Sequence, residues 1–313
     1  MSFGGYIKVD ARHVTGDVAY RDFWLGAGTG VDAGESKSQT RMFANESRFN
    51  MKYTHGDVMG FIELDFWGGG GNEIISNSAN PRIRHAFIKY DKFVVGQTWT
   101  TFMNTSALAE TLDFAGPIMG GVFGRQAQVR YTNGGLQVSL ENPHTHGGDD
   151  SESSMPDFIA KYTFKGDWGN VSTAALVRQL DTVGGNSESA FGYSIAGRIK
   201  TGGKDDLRFQ YSGGEIGRYV GAVSATDVVG EEVEETDSYL VAYRHFWTED
   251  TRSTLTYGHA EADLSGWESS QWSLNVLKNL TKQLTVGVEV GNYSRDDLNI
   301  DSDYAQVSLK YVL

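Results

Sequence analysis

Apolar and polar positions alternate with a period of two along almost the whole chain, most clearly at its end. In YAQVSLKYVL, residues 304–313, Ala305, Val307, Leu309, Tyr311 and Leu313 are apolar or aromatic, while Gln306, Ser308 and Lys310 are polar. Successive side chains of a strand point to opposite faces, so this pattern predicts a strand with one greasy side and one wet side. The start reads the same way, Ile7, Val9 and Ala11 alternating with Lys8, Asp10 and Arg12. Phe49, Met51 and Tyr53 alternate with Arg48, Asn50 and Lys52, and after HGD at 55–57 the residues Gly60, Ile62, Leu64 and Phe66 interleave with Phe61, Glu63 and Asp65. These two segments predict a tight hairpin.

Further short turns are expected at Asp91-Lys92, NGG 133–135, GDWGN 166–170, TGGKDD 201–206, TED 248–250 and KNLTKQ 278–283. Long links are expected at 68–80, 143–155, 213–236 and 294–303, besides a Gly-rich acidic stretch reaching to about residue 40. Counting the alternating segments gives about sixteen strands. No linker or change of texture divides them, so residues 1–313 read as one domain. The segment RIRHAF, 82–87, fits neither parity, since one leaves His85 and Lys89 outward and the other Arg82 and Arg84. An arginine on a lipid face costs roughly 2–4 kcal/mol, so Arg84 is expected inward and Phe87 outward.

A soluble β-sandwich also alternates, with its apolar face packed inward. Against it, Tyr53, Phe66, Trp67, Tyr90, Tyr131, Trp168, Tyr211, Tyr243, Trp247 and Tyr257 lie close to turns or loops, where membrane barrels carry their aromatic girdles. Short turns on one edge and long acidic loops on the other complete the picture of a closed antiparallel transmembrane β-barrel. Closure leaves no unpaired edge in lipid, and the last strand must then pair with the first. No run approaches the ~18 consecutive apolar residues of a membrane helix, but a barrel hides its signal because only every second residue meets lipid.

Composition changes the picture little. The chain has no cysteine, 4 prolines and 39 glycines, which suits strands and turns. Its formal charge of -13 argues against a nucleic-acid partner. The opening MSFGGYIKVD has neither the basic n-region nor the apolar h-region of a secretory signal.

FGGYIKVD at the start, RIRHAFIKY followed by VVGQTW, and then ETLDFAGP and FGRQAQVRYT are similar to the DcaP-like family of trimeric outer-membrane dicarboxylate porins. The closing strand also resembles the C-terminal signal of outer-membrane proteins, with Leu313 where phenylalanine is usual. The resemblance implies a homotrimer in the bacterial outer membrane, in contact with lipid and lipopolysaccharide, and a third loop lining the pore eyelet.

The candidate for that loop is 100–124, which is more apolar than the other links and carries Pro117, Gly116, Gly120, Gly121 and Gly124. Too greasy to stand in solvent, it is expected to fold inward as a constriction. Its acids Glu110 and Asp113 would face the pore, or else cap a short helix within the loop. The wet faces supply Lys8, Arg12, Arg48, Lys52, Arg84, Arg125, Arg130, Lys161, Arg178, Arg198, Lys200, Arg208 and Arg244, with Lys8, Arg12, Arg48, Arg84, Arg125, Arg130 and Arg198 as the candidate constriction cations, against fewer lumen acids such as Asp10, Glu63, Asp65, Glu141 and Glu289. Arginine and lysine rings favour anions, and a guanidinium grips a carboxylate with two hydrogen bonds; the bland reading is that these cations only neutralise lumen acids. The expectation is passive diffusion of small carboxylates, dicarboxylates above all. A general or sugar-selective porin is the alternative, and a soluble all-β carbohydrate-binding or hydrolase domain the remote one.

No enzyme is expected. The seven histidines show no spacing suited to a barrel phospholipase. His144 and His146 in PHTHGG are two ligands, too few for a structural metal site. No cofactor is expected either, unless Ca²⁺ sits at acidic external loops such as GDDSE and EEVEE; solvated tips are the simpler reading.

Overall fold

A computed structural model describes residues 1–18, 36–72, 74–116, 118–149, 151, 153–221 and 225–313. The Gly-rich acidic stretch before residue 40 lies largely outside the described residues, as do Pro117, Asp150 and Glu152. The strands are β1 (Ser2–Gly16), β2 (Lys37–Phe43), β3 (Arg48–His55), β4 (Val58–Asp65), β5 (Arg82–Tyr90), β6 (Phe93–Trp99), β7 (Arg125–Asn133), β8 (Leu136–Glu141), β9 (Asp157–Gly166) and β10 (Gly169–Asp181). They continue with β11 (Ser187–Gly202), β12 (Asp205–Gly214), the loop hairpin β13 (Val228–Val229) and β14 (Glu232–Val233), β15 (Thr236–Phe246), β16 (Thr251–Ala262), β17 (Glu268–Asn279), β18 (Leu284–Arg295) and β19 (Ile300–Val312).

Seventeen of these form one sheet. Both β2 and β3 pair with β1, on either side of residues 44–47, so they are two halves of one wall element and the barrel has sixteen strands. Every pairing is antiparallel, and β19 closes on β1 through a register running from Tyr6↔Val312 to Gly16↔Ser302. Short turns lie where the sequence places them, all on one edge. The opposite edge carries the long links, with one correction. Residues 294–303 are mostly strand, because β18 runs to Arg295 and β19 starts at Ile300, leaving a single 3-10 turn at Asp296–Leu298.

Alternation sets the two faces as expected. On β19, Val307, Leu309 and Tyr311 are exposed on the outer surface, whereas Gln306 and Ser308 are buried in the lumen. Two positions depart from expectation. Between β4 and β5 the register passes from Glu63↔His85 to Leu64↔Ile83, so Arg84 is an extra residue. Such a bulge turns two consecutive side chains to one side, and Arg84 and His85 are both buried inside. The conflict in RIRHAF thus disappears without exposing a charge to lipid. Beyond the bulge Phe87, expected outward, lies against the inward Phe61, ring centroids 5.4 Å apart. Trp67, expected in a girdle, turns inward onto Phe43 and Phe114 at 5.5 Å each.

The apolar core sits within the lumen. Phe102, Met103, Met119 and Val122 of the 100–124 loop and Ile216, Tyr219 and Val220 of the 215–235 link pack on Ile159, Leu176, Tyr293 and Tyr304 of the wall. Full burial of one such side chain contributes about 1.5–3 kcal/mol, which explains why a loop of this composition does not extend into water.

Candidate functional site

The 100–124 loop is tied to the inner wall along its length. Near its root, Lys161 Nζ donates to the Met103 carbonyl at 2.7 Å, and Asn104 Nδ2 donates to Asn170, Ser172 and the Ala196 carbonyl at 3.0–3.1 Å. Arg208 then donates to the Leu108 carbonyl. Glu110 receives Arg252 Nη2 at 2.6 Å and Arg244 Nη1 at 3.0 Å. At the tip, Glu289 accepts the backbone N–H groups of Leu112 and Asp113, both at 2.7 Å, while Lys8 and Gln306 donate to the Leu112 carbonyl at 2.6 and 2.8 Å. On the return, Gly120 lies so close to the wall that a Cβ there would come within 1.7 Å of the Tyr239 carbonyl oxygen. Only glycine permits that approach.

This docking decides the role of the two loop acids. Asp113 is buried, with Arg12 at 3.4 Å and Gln271 donating at 3.2 Å. It also accepts the Ala115 N–H at 3.2 Å, within a bend and not at the start of a helix. Glu110 lines the pore but is neutralised by its two arginines. Burial alone would push its carboxyl up; hydrogen bonds and charge from Arg252 and Arg244 outweigh that and hold it down to about 2. Both acids therefore fasten the loop and add no free negative charge to the passage.

The predicted cations separate into two groups. Lys8 pairs with Glu46 and Asp10, Arg12 with Asp113, Arg84 with Glu63 and Asp65, and Arg198 with Asp206. By contrast, Arg48, Arg125 and Arg130 have no carboxylate partner among the described residues; Arg130 donates to the Trp99 carbonyl at 3.3 Å. Arg48 lies over Tyr6 at 5.1 Å and Phe114 at 6.0 Å, and Arg125 over Trp99 at 4.8 Å and Phe123 at 5.6 Å. Arg48 Nε and Arg125 Nη1 are buried polar atoms with no hydrogen-bond partner. An aromatic face stabilises a guanidinium without consuming its N–H groups.

Arg48 lines a cavity of about 230 Å³ together with Tyr6, Arg84, Trp99, Phe114 and Lys310, among others, and Arg125 stands behind it, over the lining rings of Trp99 and Phe123. A second cavity of about 240 Å³ shares Glu46, Glu110, Thr111 and Lys310 with it, so both border the loop tip. Lys310, which lines both, lies over Tyr6 at 4.0 Å and has no carboxylate within ion-pair distance among the described residues. Sequence reasoning did not name Arg252, and read Lys310, the other Glu110 partner Arg244 and the latch Glu289 only as lumen-facing residues, not as site residues. Inward parity is the only signal that any of them carries. Inward aromatic residues are also more numerous than the alternation implied, with Phe87, Trp99, Phe114 and Phe123 joining Phe61.

A closed sixteen-stranded barrel with a polar lumen and a long loop bonded to its inner wall defines an outer-membrane porin. The chain belongs to the DcaP outer membrane protein family, whose family model matches residues 2–275. In structure it is similar to the outer membrane channel DcaP of Acinetobacter baumannii, with 23% identity and a TM-score of 0.86 over 100% of this chain and 96% of that one. It is also similar to the anion-selective porin from Comamonas acidovorans (13% identity, TM-score 0.65, 100% and 99% covered). A third is the outer membrane protein OmpT of Vibrio cholerae in its trimer form (14% identity, TM-score 0.61, 100% and 98% covered). No curated protein matches the chain in sequence. Family and fold place the protein in the outer membrane.

Proposed function

We propose that this porin passes small anionic solutes, dicarboxylates foremost, by passive diffusion past the 100–124 loop, as a homotrimer of independent channels. The observation that carries this reading is the asymmetry of charge around the cavity. Arg48, Arg125 and Lys310 keep uncommitted positive charge, whereas the nearby acids Glu63, Asp65, Glu110 and Asp113 are all engaged by arginines. A carboxylate entering there meets N–H donors that no protein group satisfies, and unsatisfied buried donors are costly until an acceptor arrives. The likeness to an anion-selective porin supports the selectivity and the trimeric form of a structural neighbour supports the assembly.

A sugar channel is the second reading, favoured by the inward Phe61–Phe87 pair. Planar-bilayer recording separates the two. Under a salt gradient the reversal potential should show anion preference, and succinate should produce blocking events that an equal concentration of glucose does not. Cation preference without succinate block would overturn the proposal; block by glucose alone would establish the sugar reading.

A further inference from the structure

Outside the lumen, one group of ligating side chains stands on the outer face of the wall. His259 and Glu261 are two residues apart on β16 and share that face, and Glu268 of β17 lies directly opposite Glu261 in register. One donor atom from each of the three lies within 4.8 Å of the other two. His259 Nε2 is 3.9 Å from Glu261 Oε2 and 3.8 Å from Glu268 Oε1. The group borders the 263–267 link on the long-loop edge, two residues beyond the outward Tyr257.

Two observations set this group apart from an acidic patch. First, its central member is an imidazole whose direction is fixed: the His259 side chain is 15% exposed and packs on the Tyr239 ring, centroids 5.2 Å apart. Second, carboxylates directly opposite each other on neighbouring strands repel. Asp237 faces Glu261 from the other side, extending the row across three strands. Asp237 accepts the Tyr211 hydroxyl at 3.0 Å, which adds no positive charge. No lysine or arginine pairs with Glu261 or Glu268 among the described residues, so the imidazole of His259 is the group that faces both carboxylates.

We propose that His259, Glu261 and Glu268 form a binding site for one divalent ion of the zinc type, with its remaining coordination position open to the outer rim. One imidazole nitrogen with two carboxylates suits zinc better than magnesium or calcium, which take oxygen ligands. Tetrahedral ligands at about 2.0 Å from zinc stand about 3.3 Å apart. The two histidine–glutamate separations need to close by about half an ångström and the glutamate–glutamate separation by up to about 1.5 Å, which rotation of the Glu261 and Glu268 side chains provides. Once bound, the ion replaces repulsion between β16 and β17 with a cross-strand clip beneath the 263–267 link. The position is separate from the anion path, so the outcome does not depend on the channel's selectivity.

Calorimetric titration of the folded barrel in detergent with ZnCl₂, repeated with CoCl₂ while its visible absorption is recorded, tests the site. The expected result is one ion per chain, a tetrahedral cobalt spectrum and a zinc-dependent rise in Tm. His259→Ala and Glu261→Gln/Glu268→Gln should each weaken binding by about tenfold or more and abolish the rise in Tm. His144→Ala/His146→Ala should leave all three unchanged. Absence of saturable binding, or wild-type affinity in His259→Ala, would overturn the proposal and leave the trio as a histidine–glutamate ion pair. Heat-resistant migration on gels verifies that each variant is a folded barrel.

Discussion

On the wall from β12 through β19 to β1, Arg208, Arg244, Arg252, Lys8 and Arg12 end on the 100–124 loop, on its backbone or its carboxylates. On the wall from β3 to β7, Arg48 and Arg125 end on aromatic rings. Residue type and inward parity are the same on both sides, yet one set is structural and the other keeps its charge available. A positive lumen is therefore a poor guide to selectivity; what matters is which cations remain after the loop has taken its partners. The loop also brings its own acids to the gripping side, so its docking costs no positive charge on the opposite wall.

The sharpest way to break this division is to remove a gripping arginine from a buried pair. Arg12→Ala leaves Asp113 buried without its cation, and losses of about 3–5 kcal/mol are typical of such changes. The expected result is a clear fall in Tm together with noisy, enlarged conductance as the loop tip detaches. Next comes Glu289→Gln, which weakens two short backbone hydrogen bonds to a charged acceptor, each contributing about 1.5–3 kcal/mol. It should raise open-channel conductance while largely preserving ion selectivity, because the opposite wall is untouched.

On that opposite wall the pattern should invert. Arg48→Ala/Arg125→Ala should leave Tm nearly unchanged and weaken succinate block by about tenfold, equivalent to about 1.4 kcal/mol. Loss of stability without loss of block would erase the distinction between the two regions. Acid titration sharpens it further. The Glu110 carboxyl lies below its ordinary value of 4.5, so its contribution to docking is complete above that pH and is lost as pH falls through about 2. The difference in conductance noise between the wild type and Glu110→Gln should accordingly be full at pH 6 and vanish near pH 2. The smallest effect is expected at the exposed turn pair Lys204–Glu249. Lys204→Ala should alter stability by about 0.5 kcal/mol or less and leave conductance as it was.

Much of the barrel was legible from the sequence because the signals are local. Strand parity follows from alternation, as Lys8, Asp10 and Arg12 show against Ile7, Val9 and Ala11, and turns follow from short segments such as NGG 133–135. Closure follows from the need to satisfy backbone groups in lipid. Two local readings failed where the backbone departs from regular pleating. The bulge at Arg84 reverses the parity beyond it and brings Phe87 inside, and Trp67 lies just past the end of β4, where alternation no longer holds. The acids of EEVEE show the same limit, since Glu234 accepts the backbone N–H groups of Leu264 and Ser265, and Glu231 accepts the Gly184 N–H and the Asn186 side-chain amide. They tie external links together, a role that composition cannot reveal.

The sequence by itself determined that the chain is a two-faced sheet closed around a polar interior, that its turns lie on one edge, and that cations point inward. Only the tertiary structure decided which of those cations are free. Arg12 meets Asp113, and Arg244 and Arg252 meet Glu110, across more than a hundred residues of chain. Glu289 holds a loop tip to which no periodicity connects it. Electrostatic pairing depends on distance in space, and in a closed barrel crossed by a long loop, separation along the chain carries almost no information about that distance.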